Sequence, residues 1–267
     1  MAVTEATTKD WDPARYGAFR DLRLRPALDL LAQVGELPAG EVVDLGCGDG
    51  AVGPALAARF KPEHPLSGVD SSAAMLETAA GRMTQWENPI YSGLAQADIA
   101  TWAAETPPAL IFSNAALNWL PDHAALLPRL AGMLAPGGVL AVQMPRQGGA
   151  PSHRLLAEVA ERLFPGRFPA KPAPVLAAGE YVELLMAFGE VRAWTTEYVQ
   201  ILDPVPQGHP VRAFTESTAM RPFVAEMAAA QTYVAAYDAA LAEAYPALPD
   251  GRVLFPFTRV FFVLERS

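Results

Sequence analysis

Apolar positions recur in two alternating patterns once the chain passes residue 23. Arg25 to Leu37 sets Leu28, Leu30, Leu31 and Val34 at near-helical spacing, with Pro26 tolerated in a first turn. Glu41 to Leu45 is a short apolar run that predicts a strand and ends in Gly46-Cys-Gly-Asp-Gly50. Ala51 to Phe60 returns to helical spacing, Leu66 to Asp70 predicts a second strand, and Ser72 to Met83 a second helix, with Ser71 or Ser72 as its cap. Further strands are expected at Leu94 to Ala97, Ala109 to Ser113 and Val139 to Met144. A helix over Asp122 to Leu134, closed by Pro136-Gly137-Gly138, separates the last two. Strands divided by helices of this length imply βαβ units: an α/β fold with a mostly parallel sheet and helices on both faces.

Beyond Pro145 the pattern changes. Residues 145 to 174 hold six prolines, which cannot donate to a ladder, so a helix near His153 to Phe164 and then an irregular connection are expected. Val191 to Leu202 and Val253 to Leu264 alternate as strands, the second interrupted at Pro256. Between them Phe223 to Tyr245 is a long Ala-rich helical pattern, flanked by Pro222 and Pro246. This inserted helical material is expected to cover the ligand side of the sheet.

The 267 residues carry 20 Lys and Arg against 29 Asp and Glu, a formal charge of -9. That balance argues against broad binding to nucleic acid or an anionic membrane, both of which need clustered cations, and makes small molecules the better partners. The only cysteine, Cys47, forbids an internal disulfide, and His64, His123, His153 and His209 are too scattered to read as a metal pair on one helix. No window reaches the roughly 18 apolar residues of a membrane span. Met1 to Asp12 lacks the apolar core of a signal peptide, so a cytoplasmic protein, monomeric or a small homo-oligomer, is expected.

The candidate chemistry begins at the glycines. A strand, then Gly46, Gly48 and Gly50, then a helix, lets a ligand approach the backbone and points a helix N-terminus at it. Asp70 ends the next strand, where a carboxylate can accept from both hydroxyls of a ribose. Ordinary turn glycines beside a surface Asp are the competing account. The glycines alone also satisfy a loose dinucleotide pattern, leaving a nicotinamide-dependent dehydrogenase or a non-catalytic nucleotide-binding module as alternatives. Three features favour S-adenosylmethionine: Asp44 before the first glycine, the close G-x-G-x-G spacing, and Ala97-Asp98-Ile99 after the third strand. Asp98 can accept from an adenine amino group and Ile99 can pack on the ring. Acidic residues crowding the turn, such as Asp49, would repel a pyrophosphate. Cys47 in the turn reads as a small buried filler rather than a nucleophile.

Asp44-Leu-Gly-Cys-Gly-Asp-Gly50, Gly68-Val-Asp-Ser-Ser72 with Met75, and Ala97-Asp-Ile99 with Trp102 resemble class I S-adenosylmethionine-dependent methyltransferases. Trp11-Asp-Pro with Tyr16, Phe19, Arg23 and Arg25-Pro26, Ile111 to Asp122, and Gly138 to Pro145 are similar, more closely, to the branch that methylates trans-aconitate. Trp194 to Tyr198, and Arg221-Pro222 with Phe257-Thr-Arg259, extend that similarity over nearly the whole chain. The resemblance implies a Rossmann-like, seven-stranded sheet with an inserted helical cap. It implies one methyltransferase domain: an arm over 1–24, a cofactor core over 25–145, a cap and sixth strand over 146–252, and a last strand over 253–267. The implied reaction is methyl transfer to a carboxylate of a small polycarboxylic acid such as trans-aconitate, with an acceptor on a carrier as a variant.

A carboxylate is ionised at neutral pH, so no general base is required. The expected cofactor contacts are Asp44, Gly46, Cys47, Gly48, Gly50, Asp70, Ser71, Asp98, Ile99, Asn114 and Leu117, with Asn114 at the methionine part. A polyanionic acceptor demands arginines, whose planar fork matches a carboxylate. Arg20, Arg23, Arg25, Arg221 and Arg259 are the candidates; Arg20, Arg23 and Arg25 could equally decorate a solvated helix start, and Arg221 or Arg259 could instead pair with a structural Asp or Glu. Tyr16, Phe19 and Trp119 are candidates to line the acceptor site, Tyr16, Trp119 and Gln143 to orient the acceptor, although core packing explains the aromatics as well. Trp194 and Tyr198 read better as packing between antiparallel strands.

Overall fold

The computed structural model describes residues 20–83, 89–168, 175–216, 218–220, 223 and 230–267, and the side chains among them except those of 20–23, 83 and 230. Tyr16, Phe19 and Arg221 therefore lie outside the described residues, as do the side chains of Arg20 and Arg23.

The chain begins with α1 (Arg20–Leu31), β1 (Val42–Leu45), α2 (Gly53–Phe60), β2 (Leu66–Asp70), α3 (Ala73–Met83) and β3 (Gly93–Gln96). It continues through β4 (Leu110–Asn114), a 3₁₀ turn (Leu117–Trp119), α4 (His123–Met133) and β5 (Val139–Pro145). The remainder is α5 (Pro151–Leu163), α6 (Ala178–Leu185), β6 (Gly189–Leu202), α7 (Pro210–Glu216), α8 (Ala230–Ala244) and β7 (Val253–Arg266). Seven strands form one sheet in the order β3-β2-β1-β4-β5-β7-β6. The first five are parallel; β7 runs antiparallel to β5, and β6 antiparallel to β7.

β1 and β4 read as apolar runs because helices cover both faces of the sheet. On one face Val43, Leu45, Ile111, Leu140, Val142 and Phe262 pack against Leu127 and Leu130 of α4 and Leu185 of α6. On the other, Val42, Phe112, Ala141 and Phe261 meet Ala27 and Leu30 of α1 and Leu56 of α2. Each Val, Leu, Ile or Phe among them contributes about 1.5–3 kcal/mol when fully buried. A third cluster joins α5, α7 and α8 to Leu202, Phe255 and Phe257 near the far end of the β6–β7 hairpin.

Four expectations change. The first helix ends at Leu31 rather than Leu37, and it exposes Leu28 while burying Ala27. The connection after α5 contains α6, whose Tyr181 and Leu185 form a buried i, i+4 pair and whose Glu180 accepts from the Ala177 N–H (2.6 Å). A short helix, α7, opens on Pro210 ahead of the Ala-rich pattern, of which the structure describes α8. Pro256 does not interrupt β7: it sits opposite Val199, with its carbonyl turned to the Gln147 amide (3.2 Å), away from β6. Its ring therefore removes no bond to β6, because N and C=O of one strand residue face the same side.

Candidate functional site

Strand order reverses between β1 and β4, which leaves a crevice at their carboxyl ends. Ser113 Oγ donates to the Leu45 carbonyl (2.8 Å), tying the two strands together there. Gly46 has φ +79°, and a Cβ on it would stand 2.2 Å from Ala116 Cβ, so the loop after β4 closes directly on the glycine turn. Ala115, between Asn114 and that contact, is itself left-handed (φ 54°). Gly48 (φ +54°) has open space where a side chain would stand, a cradle left to a ligand.

Asp70 holds the turn from the side. Its two carboxylate oxygens accept from the backbone N–H of Gly48 and of Ser72, each at 2.9 Å, and each keeps lone-pair capacity for a further donor. Ser72 Oγ accepts from the Met75 N–H (3.2 Å), so Ser72 and not Ser71 caps α3, and Ser71 stays exposed beside Asp70. Beneath the turn Asp44 is 1% exposed and accepts from the Tyr91 hydroxyl at 2.6 Å. Burial pushes its carboxyl up to about 7, against the lowering pull of that hydrogen bond, with the charges of Asp70 and Asp49 adding to the rise.

Cys47 is buried, and burial pushes its thiol well up, as suits a filler; its N–H donates to the Val69 carbonyl (3.0 Å). Asp49 is paired with Arg82 (2.7 Å). The repulsion of a pyrophosphate expected from Asp49 is thereby offset, and the argument against one falls to Asp70 instead.

On the far side of the crevice, Asp98 is exposed and caps its own turn by accepting from the Ala100 N–H (2.8 Å), with Ile99 buried behind it. Sequence reasoning missed what fixes this loop: Arg129 of α4 donates to the carbonyls of Ile99 (2.7 Å), Ala100 (3.0 Å) and Trp102. It also missed His123, whose Nε2 meets the Leu117 carbonyl (2.9 Å) and whose Nδ1 meets Tyr181 Oη (2.8 Å), pinning the 3₁₀ turn from below. Burial lowers the pKa of His123, and the neutral ring fits this pair of contacts. No spacing in the chain flags either residue, because each acts on a segment brought near only by the fold.

Leu117 is a correction. Its side chain is fully buried in the core and is not brought to the crevice. Trp119, two residues on, is 48% exposed, and an Asn118 amide oriented to donate to the Ala115 carbonyl (3.0 Å) accepts from its indole N–H (3.2 Å).

Gln143 is a second correction. It is wholly buried, and its Nε2 donates to Asn114 Oδ1 while its Oε1 accepts from Arg259 Nη1 (3.0 Å), so it reaches no acceptor directly. Arg259 is 2% exposed and lies over the Phe257 ring (4.9 Å to the centroid). Arg25 is exposed, over Tyr198, and 3.9 Å from Asp29, a surface arrangement. Trp194 stacks on Phe261 (5.0 Å) and the Tyr198 hydroxyl donates to Asp29 (2.7 Å), so both are packing residues as expected.

The residues at this edge fit an adenosine-bearing ligand. Asp70 is an acceptor for a diol and the Gly48 backbone is open. Among the described residues no helix is long and apolar enough to cross a membrane.

The family profile described as a methyltransferase domain matches residues 42–138, which run from β1 to the start of β5. The chain is 47% identical to the trans-aconitate 2-methyltransferase of Methylobacterium nodulans, over 97% of this chain and 99% of that one. It is 42% identical to the protein of the same name from an Azoarcus species, over 96% and 99%. Among solved structures, the YcgJ protein of a Bacillus superposes with a TM-score of 0.58 at 15% identity, covering 91% of this chain and 99% of that one. A sarcosine dimethylglycine methyltransferase homologue from Galdieria sulphuraria gives 0.56 at 14% identity, over 96% and 91%. At those identities the structures speak for the fold, which is that of the class I methyltransferases.

Proposed function

The chain belongs to the trans-aconitate 2-methyltransferase family, and we propose that it esterifies one carboxylate of trans-aconitate at the expense of S-adenosylmethionine. The products are the monomethyl ester and S-adenosylhomocysteine. When bound, the cofactor supplies a methyl group made electrophilic by its sulfonium. Asp70 would hold the ribose, Asp98 and Ile99 the adenine, the glycine turn and Ser71 the backbone side, and Asn114 the methionine part.

The observation that carries the reading is Arg259. Arg259, a buried guanidinium at the carboxyl edge of the sheet that lies over Phe257 and donates to Gln143, is the candidate counter-charge for a polycarboxylate. Distant surface acids are screened over roughly 8 Å at physiological salt, so a local cation governs the pocket. Arg23 and Arg221 are further candidates for the remaining carboxylates, and Tyr16, Phe19 and Trp119 for walls that exclude water. Since the attacking oxygen is already an anion at neutral pH, the work left to these residues is alignment. Alignment of this kind is worth about 7–11 kcal/mol.

The test is a methyl-transfer screen over trans-aconitate, cis-aconitate, citrate, isocitrate and monocarboxylates, with mass spectrometry locating the ester. Preferential esterification of trans-aconitate is expected. Binding of S-adenosylhomocysteine without transfer to any of these acids would refute the acceptor, and stabilisation by NAD in place of S-adenosylhomocysteine would refute the cofactor.

A further inference from the structure

Three buried or half-buried polar side chains stand in line on adjacent strands: Arg259 on β7, Gln143 on β5 and Asn114 on β4. The direction of the hydrogen bonds between them is forced from one end. A guanidinium can only donate, so the Gln143 amide must turn its Oε1 to Arg259. The amide is planar, which sends Nε2 the other way, to Asn114, and a donor there makes Asn114 accept through Oδ1. Among the described residues the two Asn114 Nδ2 hydrogens are then left for whatever lies at the carboxyl edge of β4. Its side chain is only half-buried there, and the Ala115 N–H bonded to the Gln143 carbonyl (2.9 Å) keeps the two strands in register.

We propose that Gln143 is a positioning residue that carries hydrogen-bond polarity from Arg259 to Asn114, so that Asn114 offers donors, and not its carbonyl, to the carboxylate of the cofactor's methionine part. The inference rests on the cofactor reading above. One buried arginine thereby fixes, through a neutral amide, what the cofactor side can recognise. A carboxylate is favoured at Asn114 over an ammonium, because an amide turned this way presents its two donors outward and its oxygen inward to Gln143. The arrangement holds with few alternatives because a flip of either amide would place two donors or two acceptors face to face in a buried setting.

The test uses Gln143→Glu in the full chain, with binding of S-adenosylhomocysteine and of 5′-methylthioadenosine read by calorimetry. The glutamate accepts from Arg259 and from Asn114 alike, which turns the Asn114 carbonyl outward. S-adenosylhomocysteine is expected to bind at least about tenfold more weakly, while methylthioadenosine, which lacks the amino-acid end, binds as before. Gln143→Met imposes no polarity and is expected to lose only about two- to threefold. In an Asn114→Ala background the Gln143→Glu effect should vanish, which separates polarity carried by Asn114 from a direct charge effect of the glutamate. Unchanged affinity in Gln143→Glu, an equal loss for both ligands, or a loss that persists without Asn114 would each overturn the proposal. Failure of the unmutated chain to bind S-adenosylhomocysteine would instead sink the cofactor reading on which it stands.

Discussion

The Tyr91 hydroxyl donates to Asp44 at 2.6 Å directly under the glycine turn, and the same ring is what Gly53 must be small to avoid: a Cβ there would meet Tyr91 Oη at 2.6 Å. Asp44 is therefore enclosed as well as paired, and enclosure wins, raising its carboxyl from 3.8 to about 7. A raised pKa means that the folded protein binds the proton more tightly than the unfolded chain. The associated stability is fully present below 3.8 and is lost as pH rises through about 7. His123, His153 and His209 shift the opposite way, and the stability they regain as pH rises through the ordinary histidine value of 6.5 is common to the unmutated protein and to Asp44→Asn. Between pH 6.5 and 8.5 the ligand-free protein should thus lose on the order of 1 kcal/mol from Asp44. Thermal unfolding across that range checks it: relative to Asp44→Asn the unmutated protein should lose on the order of 1 kcal/mol, and an identical slope in both proteins would exclude Asp44 as a source.

Arg129 is expected to act on the adenine side without touching a ligand. Its guanidinium bonds three carbonyls of the loop at Ile99, Ala100 and Trp102, so Arg129→Ala frees the segment that carries Asp98. S-adenosylhomocysteine affinity should fall about three- to tenfold, equivalent to roughly 0.6–1.4 kcal/mol. Methylthioadenosine should lose the same factor, since it shares the adenine, and this sets the variant apart from changes at Asn114. Equal affinity for both ligands in Arg129→Ala and the unmutated chain would remove the loop from the account.

Much of this frame could be read in the chain because its elements are locally encoded. Leu66 to Asp70 has the bounds expected of it, and the carboxylate that ends it lies beside the glycine turn, as the spacing implied. What escaped was tertiary. Tyr91 lies in the connection ahead of β3 and meets Asp44 47 residues earlier, and Arg129 reaches back 27 to 30 residues. Neither separation leaves a mark on periodicity. Gln143 is recognisable as a polar residue in an apolar strand, but its partners are not: position alone suggests the acceptor, whereas the side chain faces two side chains of the protein. Pro256 misled for the complementary reason: a proline ends a strand only where its missing N–H was needed, and that depends on which neighbour β7 has at that point.

Gln200 on β6 is 4% exposed, and neither amide atom has a hydrogen-bond partner among the described residues. An unsatisfied buried polar group costs about 1–3 kcal/mol. Gln200→Leu, of similar size, should therefore stabilise the protein by about 1 kcal/mol, seen as a rise of about 2–4 °C in Tm for a chain of this size. Denaturant unfolding with an unchanged m-value would confirm that the gain is in the folded state. A fall in stability would show that the amide is satisfied in solution, by water for instance.

Arg259 gives the sharpest separation of acceptor from cofactor. Arg259→Met keeps the length of the side chain and its contact with Phe257 but removes the charge and every donor. One charge-assisted, two-pronged contact to a carboxylate is worth about 3 kcal/mol, so kcat/KM for trans-aconitate should fall about 100-fold. Arg259→Lys retains the charge without the fork and should fall between, about tenfold. The cofactor side should respond little to Arg259→Met. Without a donor at 259 the Gln143 amide is free to take either orientation, and a bound ligand can choose the one it needs. S-adenosylhomocysteine affinity within about threefold of the unmutated value is the expected outcome, again by calorimetry. If kcat/KM for trans-aconitate were unchanged in Arg259→Met, the buried guanidinium would be a structural charge, and the acceptor's counter-charge would have to be sought at Arg23 or Arg221.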